Sequence, residues 1–146
     1  EVHTIYIGGG TPSTLRVEAL CRVVQRCIAL YGVELDGSVE ITLEVNPGDV
    51  TEANARAWRA MGINRLSMGV QSFDDAVLKS MGRIHNSADA INTFEFARKA
   101  GFDNINMDLI IGLPGETKAD VAHTLEELKA SIKEKQEKQK RLKRCG

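Results

Sequence analysis

Aromatic side chains are scarce in this chain, at 5% of 146 residues. Enzymes that grip sugars on stacked rings are therefore disfavoured, although Glu44 and Asp108 can be paired on paper as the two carboxylates of a glycosidase. Histidine is as sparse. His3, His85 and His123 fall in a strand, a loop and a helix, with no H-x-x-x-H and no Ser/His/Asp order, which argues against a zinc or triad hydrolase. The three cysteines make no framework. Cys21 and Cys27 lie roughly 240° apart round one helix axis, Cys145 stands alone, and none has metal-ligand spacing. A reduced, cytoplasmic setting is the expectation. No run approaches the ~18 apolar residues that cross a bilayer, and no signal peptide opens the chain, so no membrane span is expected.

What is present fits one core, at 146 residues and 42% apolar. The net charge of −1 hides an asymmetry: residues 129–146 hold eight Lys/Arg against Glu134 and Glu137, a local +6 that leaves −7 on residues 1–128. A basic arm for nucleic acid is one reading of that tail. A solvated or unstructured end is the preferred one, so nucleic acid is not expected as a partner. The chain opens directly on a strand-like segment without Met or cap, which suggests a fragment. The expected division is a core over 1–132 and a basic helical or disordered tail over 133–146.

The stretch Ile5-Tyr6-Ile7-Gly8-Gly9-Gly10-Thr11-Pro12 organises the rest. A short apolar run ends in three glycines, whose missing Cβ atoms let a ligand approach the backbone. Pro12 suits a first helical turn. GGGTPST has neither G-x-G-x-x-G spacing nor a following Gly-Lys-Ser/Thr, so it is neither a Rossmann fingerprint nor a P-loop. A plain βα turn without a ligand is the alternative.

Strand and helix patterns then alternate. Strands are expected at Val2–Ile7, Val39–Val45, Arg65–Gln71 and Asn104–Ile110. Helices are expected from Ser13 or Thr14 to Tyr31, from Asp49 or Thr51 to Met61, from Ser72 to Met81 and from Ser87 to Ala100. A last helix opens at Thr117-x-x-Asp120, with its apolar stripe at Val121, Leu125, Leu128 and Ile132. Four βα units imply a parallel sheet. Three strands alternate: Val39, Ile41, Leu43 and Val45 oppose Glu40, Thr42 and Glu44. Leu66, Met68 and Val70 oppose Arg65, Ser67, Gly69 and Gln71, and Ile105, Met107 and Leu109 oppose Asn104, Asn106 and Asp108. The first strand is ambiguous. Strands covered on both faces would be nearly all apolar. The α/β class with an incomplete parallel (β/α) barrel, its polar face lining a lumen, is preferred over an open doubly wound sheet; a half-sheet with its polar face towards solvent fits the same pattern equally well.

Ligands of parallel α/β folds sit at the carboxyl ends of strands. Those ends carry Gly8-Gly9-Gly10-Thr11, Glu44-Val45-Asn46-Pro47, Gln71-Ser72, and Asp108 with Gly112-Leu113-Pro114-Gly115-Glu116-Thr117. Glu44, Gln71 and Asp108 share the polar face, and carboxylates gathered on one rim need partners. Ribose hydroxyls, an ammonium group or water all qualify. Arg83 offers a fork of donors to a carboxylate, or a surface pair with Asp74 or Asp75.

IYIGGGTPSTL, ITLEVNPGDVT, GINRLSMGVQSFDDAVLKSMGRIHN and NINMDLIIGLPGET resemble, in unbroken order, segments of the radical S-adenosylmethionine enzymes related to oxygen-independent coproporphyrinogen III oxidase. Gln71-Ser72-Phe73-Asp74 and Gly82-Arg83-Ile84-His85 look more like the haem-chaperone, HemW-like branch than the oxidase. The resemblance implies the central four βα units of a partial (β/α)6 barrel, with S-adenosylmethionine, a [4Fe–4S] cluster and haem or porphyrin as its cofactors and partners. By the same resemblance, Gly8, Gly9, Gly10 and Thr11 would meet the methionyl end, and Glu44 the amino group or ribose. Arg83 would bind the methionyl carboxylate, Gln71 and Asp108 the ribose, and the backbone of Ile110–Gly112 the adenine. The family's C-x-x-x-C-x-x-C loop is absent, so no metal ligand is assigned and the chain alone is expected to be inactive. The oxidase and a non-radical nucleoside-binding module are the alternatives.

Overall fold

The structure, a computed structural model, describes residues 2–113 and 115–130. The expected tail over 133–146, Ile132 and Cys145 lie outside the described residues. Four strands, β1 (Thr4–Ile7), β2 (Glu40–Val45), β3 (Arg65–Gln71) and β4 (Asn104–Leu109), pair in parallel in the order β1-β2-β3-β4. That order never reverses, unlike a doubly wound sheet, whose strand order switches direction at its ligand crevice. Helices α1 (Val17–Tyr31) and α2 (Glu52–Ala60) make the first two crossovers, and α3 (Asp75–Ser80) with α4 (Ser87–Lys99) makes the third. Residues 118–130 form a last helix, opened as expected by reciprocal Thr117 and Asp120 bonds. Val121 and Leu128 are half-buried there, whereas Leu125 is exposed.

The core lies on one face of the sheet. Ile41, Leu43, Val45, Leu66, Met68 and Val70 are buried against Leu20 and Val24 of α1, Ala55 and Trp58 of α2, and Ala90, Phe94 and Ala97 of α4. Ile5 and Ile7 pack against the same cluster, which settles the ambiguity of β1: Tyr6 projects to the other face. That second face is polar but not bare. In its lower layer Thr42 is buried; it donates to Glu40 at 3.2 Å and accepts from Arg65 at 3.3 Å, and Asn104 donates to Glu40 at 3.5 Å. A row of polar partners thus spans three strands without apolar filler, and the ligand-facing rim stands above it.

Two expected helix starts, those of α1 and α3, differ, and α2 keeps Thr51, one of its two candidate caps. Pro12–Thr14 is a 3-10 turn; Leu15 is extended, and α1 begins only after Arg16, which caps without a side-chain bond. The Ser13 hydroxyl is committed elsewhere: it donates to Asp49 at 2.9 Å and accepts from the Asn46 N–H at 3.3 Å. With Asp49 so engaged, Thr51 caps α2 through a box with Asn54. Asp74, not Ser72, caps α3, while Asp75 accepts from the Ser87 N–H and ties α3 to α4. Asn86 caps α4 in a box with Asp89.

Candidate functional site

At the carboxyl ends of the strands a pocket of about 240 Å³ is lined by Gly10, Thr11, Pro12, Glu44, Val45, Asn46, Ser67, Gly69, Gln71, Arg83 and Asp108. The sequence-derived Gly10, Thr11, Glu44, Gln71, Arg83 and Asp108 therefore share one cavity. Gly8 and Gly9 stand behind it. Gly9 and Gly10 adopt φ of 85° and 62°, the left-handed region that a glycine enters freely. Gly8 is required by contact instead: a Cβ there would lie 2.6 Å from Tyr6 Cε1 and 2.7 Å from Glu44 Cδ. The Ser13 link to Asp49 and Asn46 staples this glycine loop to the end of β2.

Glu44 is held at both oxygens. The Tyr6 hydroxyl donates to Oε1 at 2.6 Å and the Gly9 N–H to Oε2 at 2.9 Å. The Tyr6 bond foremost, then the Gly9 N–H, holds its pKa below the ordinary glutamate value. The reciprocal effect raises Tyr6, whose phenolate would face that carboxylate. Asp108 accepts from Ser67 at 3.1 Å and from Asn106 at 2.7 Å.

Arg83 is not paired with Asp74 or Asp75. Its Nη2 donates to the Gly69 carbonyl at 3.2 Å and to Asn46 Oδ1 at 3.5 Å. Gln71 follows a bulge between Gly69 and Gln71, at φ 69°, rare for a side chain other than glycine. A Cβ on Gly69 would stand 3.0 Å from Gln71 Nε2 and 3.4 Å from Arg83 Nη2, so that glycine makes room for both.

Glu44, Asp108 and Arg83 are all satisfied by neutral groups, so none of the three charges is cancelled by an ion pair among the described residues. Such a pocket can receive a zwitterion: a cation at Glu44, an anion at Arg83 and a diol at the remaining acceptors. Ile110 and Gly112 stand outside the cavity lining. The Ile110 N–H donates to the Gln71 carbonyl at 2.9 Å, and the Gly112 N–H to Glu116 at 2.5 Å.

Three residues beyond the sequence-derived set belong to this site. Ser67 is visible on the polar face of β3 by alternation alone. Asn46 stands one step past the end of β2, and its role emerges only from its contacts with Thr11 and Arg83. Tyr6 is hidden by the irregular alternation of β1.

The donor set fits S-adenosylmethionine, whose amino acid and ribose match these charges and acceptors. It does not fit an iron–sulfur cluster. Among the described residues no group of three His, Cys, Asp or Glu is placed to hold a metal ion, and Cys21 and Cys27 are free on α1. Nor is any helix among them long and apolar enough to cross a membrane.

Comparison with known proteins agrees with the fold. The chain is 39% identical over 125 residues to the heme chaperone HemW of Bacillus subtilis, covering 86% of this chain and 33% of that protein. It is 36% identical over 128 residues to the oxygen-independent coproporphyrinogen-III oxidase-like protein HemZ of the same organism, covering 87% and 25%. Among solved structures, coproporphyrinogen III oxidase (HemN) from Escherichia coli superposes with a TM-score of 0.77 at 32% identity, over 89% of this chain and 30% of that one. The chain thus spans no more than about a third of these relatives. The profile of the radical SAM superfamily matches residues 1–128, and with the parallel barrel-type sheet and its strand-end pocket this chain belongs to that superfamily.

Proposed function

We propose that this chain is the S-adenosylmethionine-binding part of a HemW-like radical SAM protein that works on haem or porphyrin in the cytoplasm. One observation carries the reading: Glu44, Arg83 and Asp108 meet at one cavity, uncancelled, beside the bare glycine loop. Glu44 receives the methionyl ammonium, and Arg83 clamps the carboxylate. Gln71 and Asp108 accept ribose hydroxyls, Gly9, Gly10 and Thr11 border the methionyl chain, and the backbone around Ile110–Gly112 flanks the adenine. Held by these residues, S-adenosylmethionine would supply the 5′-deoxyadenosyl group, its release leaving methionine and needing one electron from an iron–sulfur cluster that these residues do not hold. This chain's residues bind and orient the nucleoside, and cluster ligands must come from outside it, so alone it performs no radical cleavage.

Titration calorimetry with S-adenosylhomocysteine tests the site. Binding by the 146-residue chain, weakened about tenfold or more in Arg83→Ala through loss of a charge-assisted pair, is expected. No heat at millimolar ligand overturns it. The likeness to HemN favours the oxidase as a second reading. Haem uptake and release by a protein carrying the cluster ligands, without porphyrinogen decarboxylation, decides for the chaperone.

A further inference from the structure

Tyr6 does not line the pocket, yet it is bonded to the residue on which the ligand's cation depends. Its hydroxyl meets Glu44 Oε1 at 2.6 Å, and its ring edge occupies the space that the missing Cβ of Gly8 leaves open. The Gly9 N–H fixes the second oxygen. A glutamate so held cannot swing to another rotamer without abandoning two bonds. Equally important is what holds it. A phenol and a backbone amide anchor the carboxylate while leaving its full negative charge; an arginine in either place would neutralise it.

We propose that Tyr6 is a positioning residue: it locks Glu44 as the acceptor for a ligand ammonium and so makes the pocket select nucleosides bearing an amino acid over those without one. This rests on the reading of the pocket as an S-adenosylmethionine site and deepens it. The depressed titration of Glu44 accords with the geometry. The titratable and charged groups facing Glu44 are the neutral phenol of Tyr6 on β1, Arg83 in the turn between α3 and α4, and Asp108 on β4, with Glu40 and Arg65 one layer below on β2 and β3.

Two probes separate the proposal from the site reading. S-adenosylhomocysteine carries the amino acid, whereas 5′-methylthioadenosine keeps the nucleoside and thioether without it. In Tyr6→Phe, binding of S-adenosylhomocysteine is expected to weaken about tenfold, as for loss of one bond to a charged group, while methylthioadenosine changes less than about twofold. The pH at which S-adenosylhomocysteine binding falls off moves upward, towards the ordinary glutamate value. Glu44→Gln weakens the same ligand, and Tyr6→Phe adds nothing on that background, because both act through one carboxylate. Equal loss of both probes in Tyr6→Phe, or additive losses in the double variant, overturns the role of Tyr6 and leaves the nucleoside site standing. Failure of the unsubstituted chain to bind either probe removes the site reading itself. If Tyr6→Phe does not fold, carbon-13 titration of Glu44 in the unsubstituted chain decides: a midpoint at or above the ordinary glutamate value overturns the proposal.

Discussion

Glu44 and Gln71 serve the same site with opposite effects on stability. Glu44 titrates below its unfolded value because Tyr6 and Gly9 donate to it. It therefore adds stability that is full above the unfolded pKa and is lost as pH falls through the lower folded one. Acid titration of unfolding should show Tyr6→Phe less stable than the parent at neutral pH, with the gap closing below the ordinary glutamate range. Gln71 holds φ 69°, a conformation costing a non-glycine residue about 1 kcal/mol or more. Urea unfolding should find Gln71→Gly more stable than Gln71→Ala by roughly 0.5 to 1 kcal/mol, since glycine relieves the strain but pays part of it back in chain entropy. Both variants should bind S-adenosylhomocysteine more weakly than the parent. Equal stability of the two would mean the backbone there is not strained.

At the scale of elements, caps and staples do different jobs. Thr51 opens α2 through a capping box, away from the pocket lining. Its replacement by alanine should cost about 1 kcal/mol in unfolding and leave nucleoside affinity unchanged. Ser13 caps no helix and instead ties the glycine turn to Asp49 and Asn46. Ser13→Ala should weaken S-adenosylhomocysteine and methylthioadenosine alike, because it loosens the whole loop instead of the ammonium contact. A variant that lost stability but no affinity would refute that assignment. Spacing made Thr51 and Ser13 equally plausible as caps. Only the fold, by offering Ser13 a better partner, assigned them opposite tasks. Trp58 anchors the other side of α2. It is fully buried, with its indole N–H unpartnered among the described residues. Trp58→Ala should cost about 3 to 5 kcal/mol by cavity formation.

For the whole molecule, the sheet has two edges, β1 and β4, each paired on one side only among the described strands. Unpaired strand edges recruit other chains. Sedimentation of this chain should show association rising with concentration, together with a broad melt. A sharp, concentration-independent melt of a clean monomer contradicts this.

The repeated strand–helix order already declared a parallel sheet, and the alternation of Glu40 to Val45, Arg65 to Gln71 and Asn104 to Leu109 declared one apolar and one polar face. Side chains at period two must separate that way, so the gathering of Glu44, Gln71 and Asp108 on one rim was legible from order alone, whereas a barrel lumen and a solvent-facing half-sheet share that pattern. The delayed start of α1, the commitment of Ser13, the bulge at Gln71 and the bond from Tyr6 to Glu44 were not legible there. Each depends on a partner 35 or more positions away or on a local break in periodicity. A linear pattern records which face a residue occupies; it holds no information about which distant group will compete for its hydrogen bonds.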